Sequence, residues 1–214
     1  AASGDYPVYY PHEGWAEQNP EEWWDAVCRA TKETIQKADI TADEIAGIGI
    51  DGQSWSAIPI DREGNVLANT PIWMDTRAQS ICDRLNQEIG QEEIFEVAGN
   101  SLQPSYSTAK ILWYKENLPE VYAKIHKILQ SNSYIAFKLT GAITQDVSQG
   151  YGLHCFNMKK GCWDEKMCKR LGIPMEFLPE ICDCDHVVGT VTGKAAAECG
   201  LVEGIPVVAG GLDA

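Results

Sequence analysis

The stretch Ile205-Pro206-Val207-Val208-Ala209-Gly210-Gly211-Leu212-Asp213 is an apolar run that breaks into two glycines and then presents a carboxylate. A short apolar run bounded by a turn signal reads as a buried strand. Glycines at its tip remove the side chains that would keep a ligand off the backbone, and they admit dihedrals closed to other residues. The segment is either the edge of an active site or an ordinary surface turn. What decides between the two is what the rest of the chain can bring beside Asp213.

Upstream, the elements alternate. Asn19-Pro20-Glu21-Glu22 has an N-cap, a proline at the first helical position and acids in the first turn, and Trp23, Trp24, Val27, Cys28, Thr31 and Ile35 follow at helical spacing. Residues 45–50 and 56–60 read as short buried strands on either side of Asp51-Gly52-Gln53-Ser54-Trp55, with a turn at 61–65. A third run, 70–73, leads into Asp75-Thr76-Arg77 and a helix with Ile81, Leu85 and Ile89 on one face. Helices are expected over 92–98, 107–116, 119–125, 133–139, 164–171 and 194–199, and strands over 127–130 and 187–192. Residues 146–157, rich in Gly, Ser and Gln, are expected to form a loop crossing the surface. Strands alternating with helices give an α/β layer structure.

The 214 residues, 44% of them hydrophobic and 22% charged, are enough to bury a core. No run approaches the ~20 apolar residues of a membrane span, and the first residues lack the basic-then-apolar pattern of a signal peptide. Thirty-one acidic against 17 basic residues give a formal charge of -14, which repels a nucleic-acid backbone. The expected partners are therefore neither nucleic acid nor membrane. Eight cysteines in a chain with its own core point to reduced thiols and a cytoplasmic location. Cys182-Asp183-Cys184 with His186 lacks the second ligand pair of a zinc site and reads as a loop, so no metal-binding residue is assigned.

Three strand tips carry polar groups: Gln53-Ser54-Trp55, Trp73-Met74-Asp75 and Asp213. In open α/β sheets, ligands sit beyond the carboxyl ends of strands, so residues distant in sequence can form one pocket. A polyol needs hydrogen-bonding side chains for its hydroxyls and an aromatic face for its C–H surface. Gln53, Ser54, Asp75, Trp55 and Trp73 supply both, although each tryptophan is equally well read as packing.

Several segments, in order, resemble the FGGY family of carbohydrate kinases, the group that contains xylulokinase and glycerol kinase. Gly14-Trp15-Ala16-Glu17-Gln18-Asn19-Pro20-Glu21-Glu22-Trp23-Trp24 is similar to the family's Gly-Trp-x-Glu-Gln-x-Pro-x-x-Trp-Trp segment. Gly47 to Gln53 resembles its strand and Gly-Gln tip, and Pro71 to Arg77 its Trp-x-Asp-x-Arg region. Ser105-Tyr106-Ser107-Thr108-Ala109-Lys110-Ile111-Leu112-Trp113 follows its first signature, and Gly210-Gly211-Leu212-Asp213 resembles the segment that bears its catalytic aspartate.

The resemblance implies a ribonuclease-H-like domain of the actin and hexokinase ATPase type, and transfer of the γ-phosphoryl group of ATP, with Mg2+, to a sugar hydroxyl. Asp213 would be the general base. Gln53, Ser54, Trp55, Trp73 and Asp75 would line the sugar side, with Ser105 and Tyr106 reaching in from the signature loop. Gly210 and Gly211 would lie against the cofactor, while Lys110 and Trp113 pack their helix. Where xylulokinases carry Met-His and glycerol kinases Arg-Glu after the Gly-Gln tip, this chain has Ser54-Trp55. The expected substrate is accordingly a ketose or polyol, xylulose-like in overall pattern. The family's Asp-x-Gly-Thr-Thr phosphate hairpin has no counterpart before Ala1, and a nucleotide-binding second domain none after Ala214. Residues 1–214 are thus expected to be an incomplete first, sugar-binding domain. Alone it would be inactive and prone to form homo-oligomers through an unpaired sheet edge. The alternative is a non-catalytic sugar-binding or assembly module that keeps the pocket.

Overall fold

In the computed structural model, which describes residues 1–213, the first long helix opens as its sequence dictates. The Asn19 side chain accepts the Glu21 amide hydrogen at 3.0 Å, Pro20 takes the first position, and α1 runs Pro20–Ala38 before Asp39 ends it in the left-handed region at φ 53. The other helices are α2 (Gln79–Glu88), α3 (Gln91–Ala98), α4 (Ser107–Asn117), α5 (Pro119–Tyr122), α6 (Ser131–Thr140), α7 (Val147–Gly150), α8 (Glu165–Leu171) and α9 (Gly193–Cys199). Strands are short: β1 (Glu17–Gln18), β2 (Asp51–Gly52), β3 (Ile58–Ile60), β4 (Thr70–Pro71), β5 (Lys127–Leu129) and β6 (Thr144–Asp146) come first. β7 (Phe156–Asn157), β8 (Cys162–Trp163), β9 (Glu180–Cys182), β10 (Val187–Thr190), β11 (Pro206–Val208) and β12 (Gly211–Leu212) follow.

Two hydrophobic clusters fill the molecule. One gathers Trp23, Trp24, Ile60, Tyr134, Leu139 and Val207 among α1, α6, α9 and β11, and the other gathers Ile81, Ile94, Leu112, Ile128, Met167 and Phe177 among α2 to α4, α8 and β5. The antiparallel pair β3–β5 lies between them. Successive strand residues face opposite ways, so Ile128 enters one cluster and its neighbour Leu129 the other.

The apolar run that ends the chain pairs with the strand leading to Gln53. Ile48 bridges Val207 in parallel, and β2 pairs in parallel with β12, Asp51 opposite Gly211 and Gly52 opposite Leu212. The expected strand over 45–50 is therefore reduced to one bridge followed by β2. The physical reason is one-sided pairing: among the described residues, Gly47 and Gly49 make no backbone hydrogen bond, and both are exposed.

Residues 146–157 are not the surface loop their composition suggested. They hold α7 and β7, and Asp146, Gln149, Gly150, Gly152, Leu153, His154, Cys155 and Phe156 are all buried. Their polar side chains bond to one another and to neighbouring backbone, and the glycines leave room for rings: a Cβ on Gly152 would lie 2.3 Å from Trp55 Cδ1. No helix is long and apolar enough to cross a membrane among the described residues.

Candidate active site

Parallel pairing carries Asp213 alongside Gly52, whose carbonyl accepts the Asp213 amide hydrogen at 3.1 Å. One step further along, Ser54 donates to Asp213 Oδ1 from its backbone N–H at 3.2 Å and from its hydroxyl at 2.9 Å. Two residues 159 positions apart thus meet at one strand end. The other carboxylate oxygen, Oδ2, has no hydrogen-bond donor among the described residues. Asp213 is exposed, so this arrangement orients a carboxylate while leaving one oxygen free to act on a ligand.

Gln53 stands beside this pair. Its side-chain N–H donates to Gln18 Oε1 at 2.7 Å, the atom that also accepts Trp23 Nε1–H at 3.2 Å. What remains to Gln53 for a hydroxyl is its amide oxygen and its second N–H. Its backbone carbonyl accepts the Ser131 hydroxyl at 2.7 Å and the Gln149 amide at 3.3 Å. A cavity of about 260 Å³ adjoins this tip, lined by Trp23, Asp51, Gly52, Gln53, Ser131 and Asn132.

Trp55 stacks on Tyr106 with ring centroids 4.1 Å apart and planes at 25°, and Tyr151 closes the group at 6.3 Å from Trp55 and 6.1 Å from Tyr106. His154 lies edge-on to Tyr106 at 5.1 Å. Burial and the neighbouring Tyr151 hydroxyl push the Tyr106 phenol up to about 12, so it stays a neutral donor at physiological pH. Buried His154 is bracketed by Thr108 Oγ1 at 2.9 Å and the Ser101 carbonyl at 3.1 Å, and burial lowers it to about 4. Ser105 and Tyr106 precede α4 directly and are half-buried.

Asp75 is corrected by the structure: it does not line the pocket. It is 1% exposed. Its Oδ2 accepts from the Ala16 N–H at 2.7 Å and from Arg77 Nε at 2.9 Å, and its Oδ1 accepts from the Arg77 N–H at 2.9 Å. Arg77 also pairs with Glu17 at 2.7 Å and lies over the Trp15 ring at 3.8 Å. All the carboxylate's capacity is spent on holding the turn after β4 to the segment before β1. The spacing Asp-x-Arg was a signal for the turn alone, since an aspartate bonding the backbone N–H two residues on makes its own turn. Trp73, by contrast, is 53% exposed and free to meet a ligand.

Four polar side chains, Asn132, Asp146 and Gln149 buried and Ser148 partly so, escaped the sequence reading because they sit in the stretch taken as a loop or just before the expected helix over 133–139. Asn132 donates to Asp146 Oδ2 at 2.7 Å and to the Ala209 carbonyl at 3.1 Å. Ser148 donates to Asp146 Oδ1 and accepts the Leu212 N–H at 3.0 Å. Gln149 donates to the Gly52 carbonyl at 3.2 Å. Asp146 and its partners therefore grip the final strand on both sides of the two glycines. Lys110, read from the sequence as helix packing, is buried and donates to the backbone carbonyls of Trp55, Ile72 and Ser105.

Gly210 has φ +78, and a Cβ there would lie 2.0 Å from the Ile50 carbonyl oxygen. Its glycine is fixed by that backbone contact, whatever it does for a cofactor. Gly211 has only Ser148 Oγ at 3.4 Å and Cys184 Sγ at 3.9 Å near such an atom. It opens on a cavity lined by Gly49, Asp51, Cys184 and Asp185. Those carboxylates suit a cation-bound phosphate and oppose a bare one, and a triphosphate needs donors that this lining does not supply. The described residues therefore fit the acceptor half of a phosphoryl transfer and not a nucleotide by themselves.

A carboxylate at a parallel strand end, a Gly-Gln tip beside it and an aromatic signature loop have the expected family layout. The model of the FGGY family of carbohydrate kinases, N-terminal domain, matches residues 1–214. The chain belongs to the FGGY family. Among curated FGGY relatives, xylulose kinase of Bacillus subtilis (strain 168) is 30% identical over 208 residues, covering 97% of this chain and 42% of the relative. Glycerol kinase of Thermococcus kodakarensis is 32% identical over 189 residues, 86% of this chain and 38% of the relative. The crystal structure of xylulose kinase from Rhodospirillum rubrum superposes with a TM-score of 0.91 at 28% identity, over 97% of this chain and 43% of that one. The fold is thus the actin and hexokinase type of ATPase domain expected, and the chain spans less than half the length of the FGGY proteins it matches.

Proposed function

We propose that this chain is the sugar-binding first domain, residues 1–214, of an ATP-dependent kinase that phosphorylates a hydroxyl of a ketose or polyol, xylulose-like in class. The xylulose kinases among its relatives support that class, and Ser54-Trp55 at the Gly-Gln tip leaves room for another sugar. The single observation that carries the reading is the Ser54–Asp213 contact, which orients a solvent-accessible carboxylate just past β12, beside the Gly-Gln tip.

Bound ATP with Mg2+ supplies the γ-phosphoryl group. The residues of this chain act on the acceptor. Asp213, its Oδ1 held by Ser54, offers Oδ2 to the reacting hydroxyl, aligns it and takes its proton late in the transfer. Gln53 accepts from a second hydroxyl, Ser105 and Tyr106 donate, and Trp55 and Trp73 provide apolar faces for the C–H surface. Gly211, with no side chain, would leave the backbone there open to the phosphoryl donor. Cytoplasmic surroundings, where the eight thiols stay reduced, suit the chain.

The experiment is turnover by the full-length parent across ketoses and polyols, with and without Asp213→Asn. Phosphorylation of a ketose that Asp213→Asn abolishes is the expected result. No turnover on any sugar, or full activity in the variant, overturns the reading.

A further inference from the structure

We infer that Lys110 is the positioning residue of the acceptor pocket: its ammonium holds the segments bearing Trp55, Trp73 and Ser105–Tyr106 in one mutual arrangement. The word acceptor rests on the proposed function; the clamp itself does not.

Lys110 lies in the first turn of α4 and is fully buried. Its Nζ donates to the carbonyls of Trp55 at 2.6 Å, Ile72 at 2.9 Å and Ser105 at 2.6 Å, which lie 55, 38 and 5 residues upstream. Each carbonyl belongs to a pocket residue or to the neighbour of one. An ammonium has three protons and no acceptor site, so three carbonyls satisfy it completely. A neutral amine has two protons and a lone pair, and the lone pair would have to face the third oxygen. Losing the proton therefore releases one of the three segments from the other two.

The groups around it leave Lys110 as the one that responds near neutrality. Asp75 and Arg77 face it from beyond β4, and Cys82 faces it from α2. Tyr114 lies one turn along α4 and donates to the Ala57 carbonyl. Burial draws the Lys110 ammonium down to about 7, with Asp75 opposing, whereas burial pushes Cys82 up to about 12 and Tyr114 well above its usual range. Below about 7 the three segments are tied; above it the tie loosens, and the Trp55–Tyr106 stack and Trp73 shift together.

The test labels the seven tryptophans of the chain with 5-fluorotryptophan and follows 19F resonances from about pH 5.5 to about pH 9, a range that brackets a titration near 7. Trp55 and Trp73 are assigned by single Trp→Phe variants. Both resonances are expected to move with one midpoint near neutrality, and direct 15N observation of the Lys110 amine is expected to give the same midpoint. His12→Gln, which removes the imidazole edge-on to Trp15, should leave the transition in place, and Lys110→Met should abolish it. No transition, separate midpoints for the two tryptophans, an amine midpoint that differs from theirs, loss of the transition in His12→Gln, or its survival in Lys110→Met overturns the inference. The wild-type spectra and the amine titration decide the matter even where Lys110→Met does not fold. They need no sugar, so a chain that binds none would overturn the proposed function and leave Lys110 to its own titration.

Discussion

Asp213 and Asp75 are both carboxylates in polar motifs, and their surroundings give them opposite work. Asp213 keeps a free oxygen at the surface, so in the parent enzyme Asp213→Asn should lower kcat by about 10²–10⁴ with little change in the urea midpoint. Steady-state kinetics beside an unfolding curve check this. Asp75 has no free valence, and removing its charge leaves Arg77 buried beside Glu17 alone. Asp75→Asn should therefore cost about 3 kcal/mol of stability, read by urea denaturation, with sugar affinity affected only through unfolding. His154 carries a pH dependence of definite sign. Its folded value of about 4 lies below the unfolded 6.5, so the unfolded chain binds more protons between the two. The contribution is complete above about 6.5 and is lost as pH falls through about 4, amounting to about 3 kcal/mol. The difference in unfolding free energy between about pH 7 and about pH 4 should shrink by that order in His154→Gln.

At the strand tips, elements meet through glycines. A Cβ on Gly52 would lie 2.4 Å from Ser131 Oγ and 2.5 Å from the Asn132 backbone nitrogen, so the start of α6 abuts β2 directly. Gly52→Ala should cost about 1–3 kcal/mol by forcing that helix outward, and should loosen the Gln53 carbonyl from Ser131; thermal unfolding measures the first effect. Strand tips and helix starts of this kind were legible in the sequence, because apolar runs, N-caps and glycine breaks are local signals. Asn19, the turn at Asp61 and the strand that leads to Gly210 all fell where their neighbours indicated. What stayed hidden depends on partners far along the chain. Asp146, Ser148 and Gln149 are polar residues in a glycine-rich stretch, which is the composition of a surface loop, and only the approach of Ala209 and Leu212 makes them interior. Asp75 misled for the same reason: nothing near it in sequence reveals that Ala16 will arrive with an N–H.

The molecule as a whole divides at β3–β5 into two cores and presents one unpaired strand edge at Gly47 and Gly49. Apolar walls from Val27, Thr31, Ile45, Ile48, Ile135 and Leu201 border that edge. An exposed edge with an apolar flank invites pairing with another chain, so concentrated solutions should contain dimers and larger species. Gly49→Lys should return them to monomer, since its Cβ meets nothing closer than Val208 Cγ2 at 3.7 Å and a charge on the edge opposes strand addition. Size-exclusion chromatography with light scattering distinguishes the outcomes.

The meeting of Ser54 with Asp213 also has a temporal side. Contacts between residues this distant close large loops and form late, and synthesis on the ribosome proceeds from the N-terminus. During translation Gln53, Ser54 and Trp55 emerge early and wait, solvent-facing and without their carboxylate, until the strand ending at Asp213 leaves the exit tunnel. The Ser54–Asp213 contact is thus completed only once the strand ending at Asp213 has emerged, long after Ser54 itself.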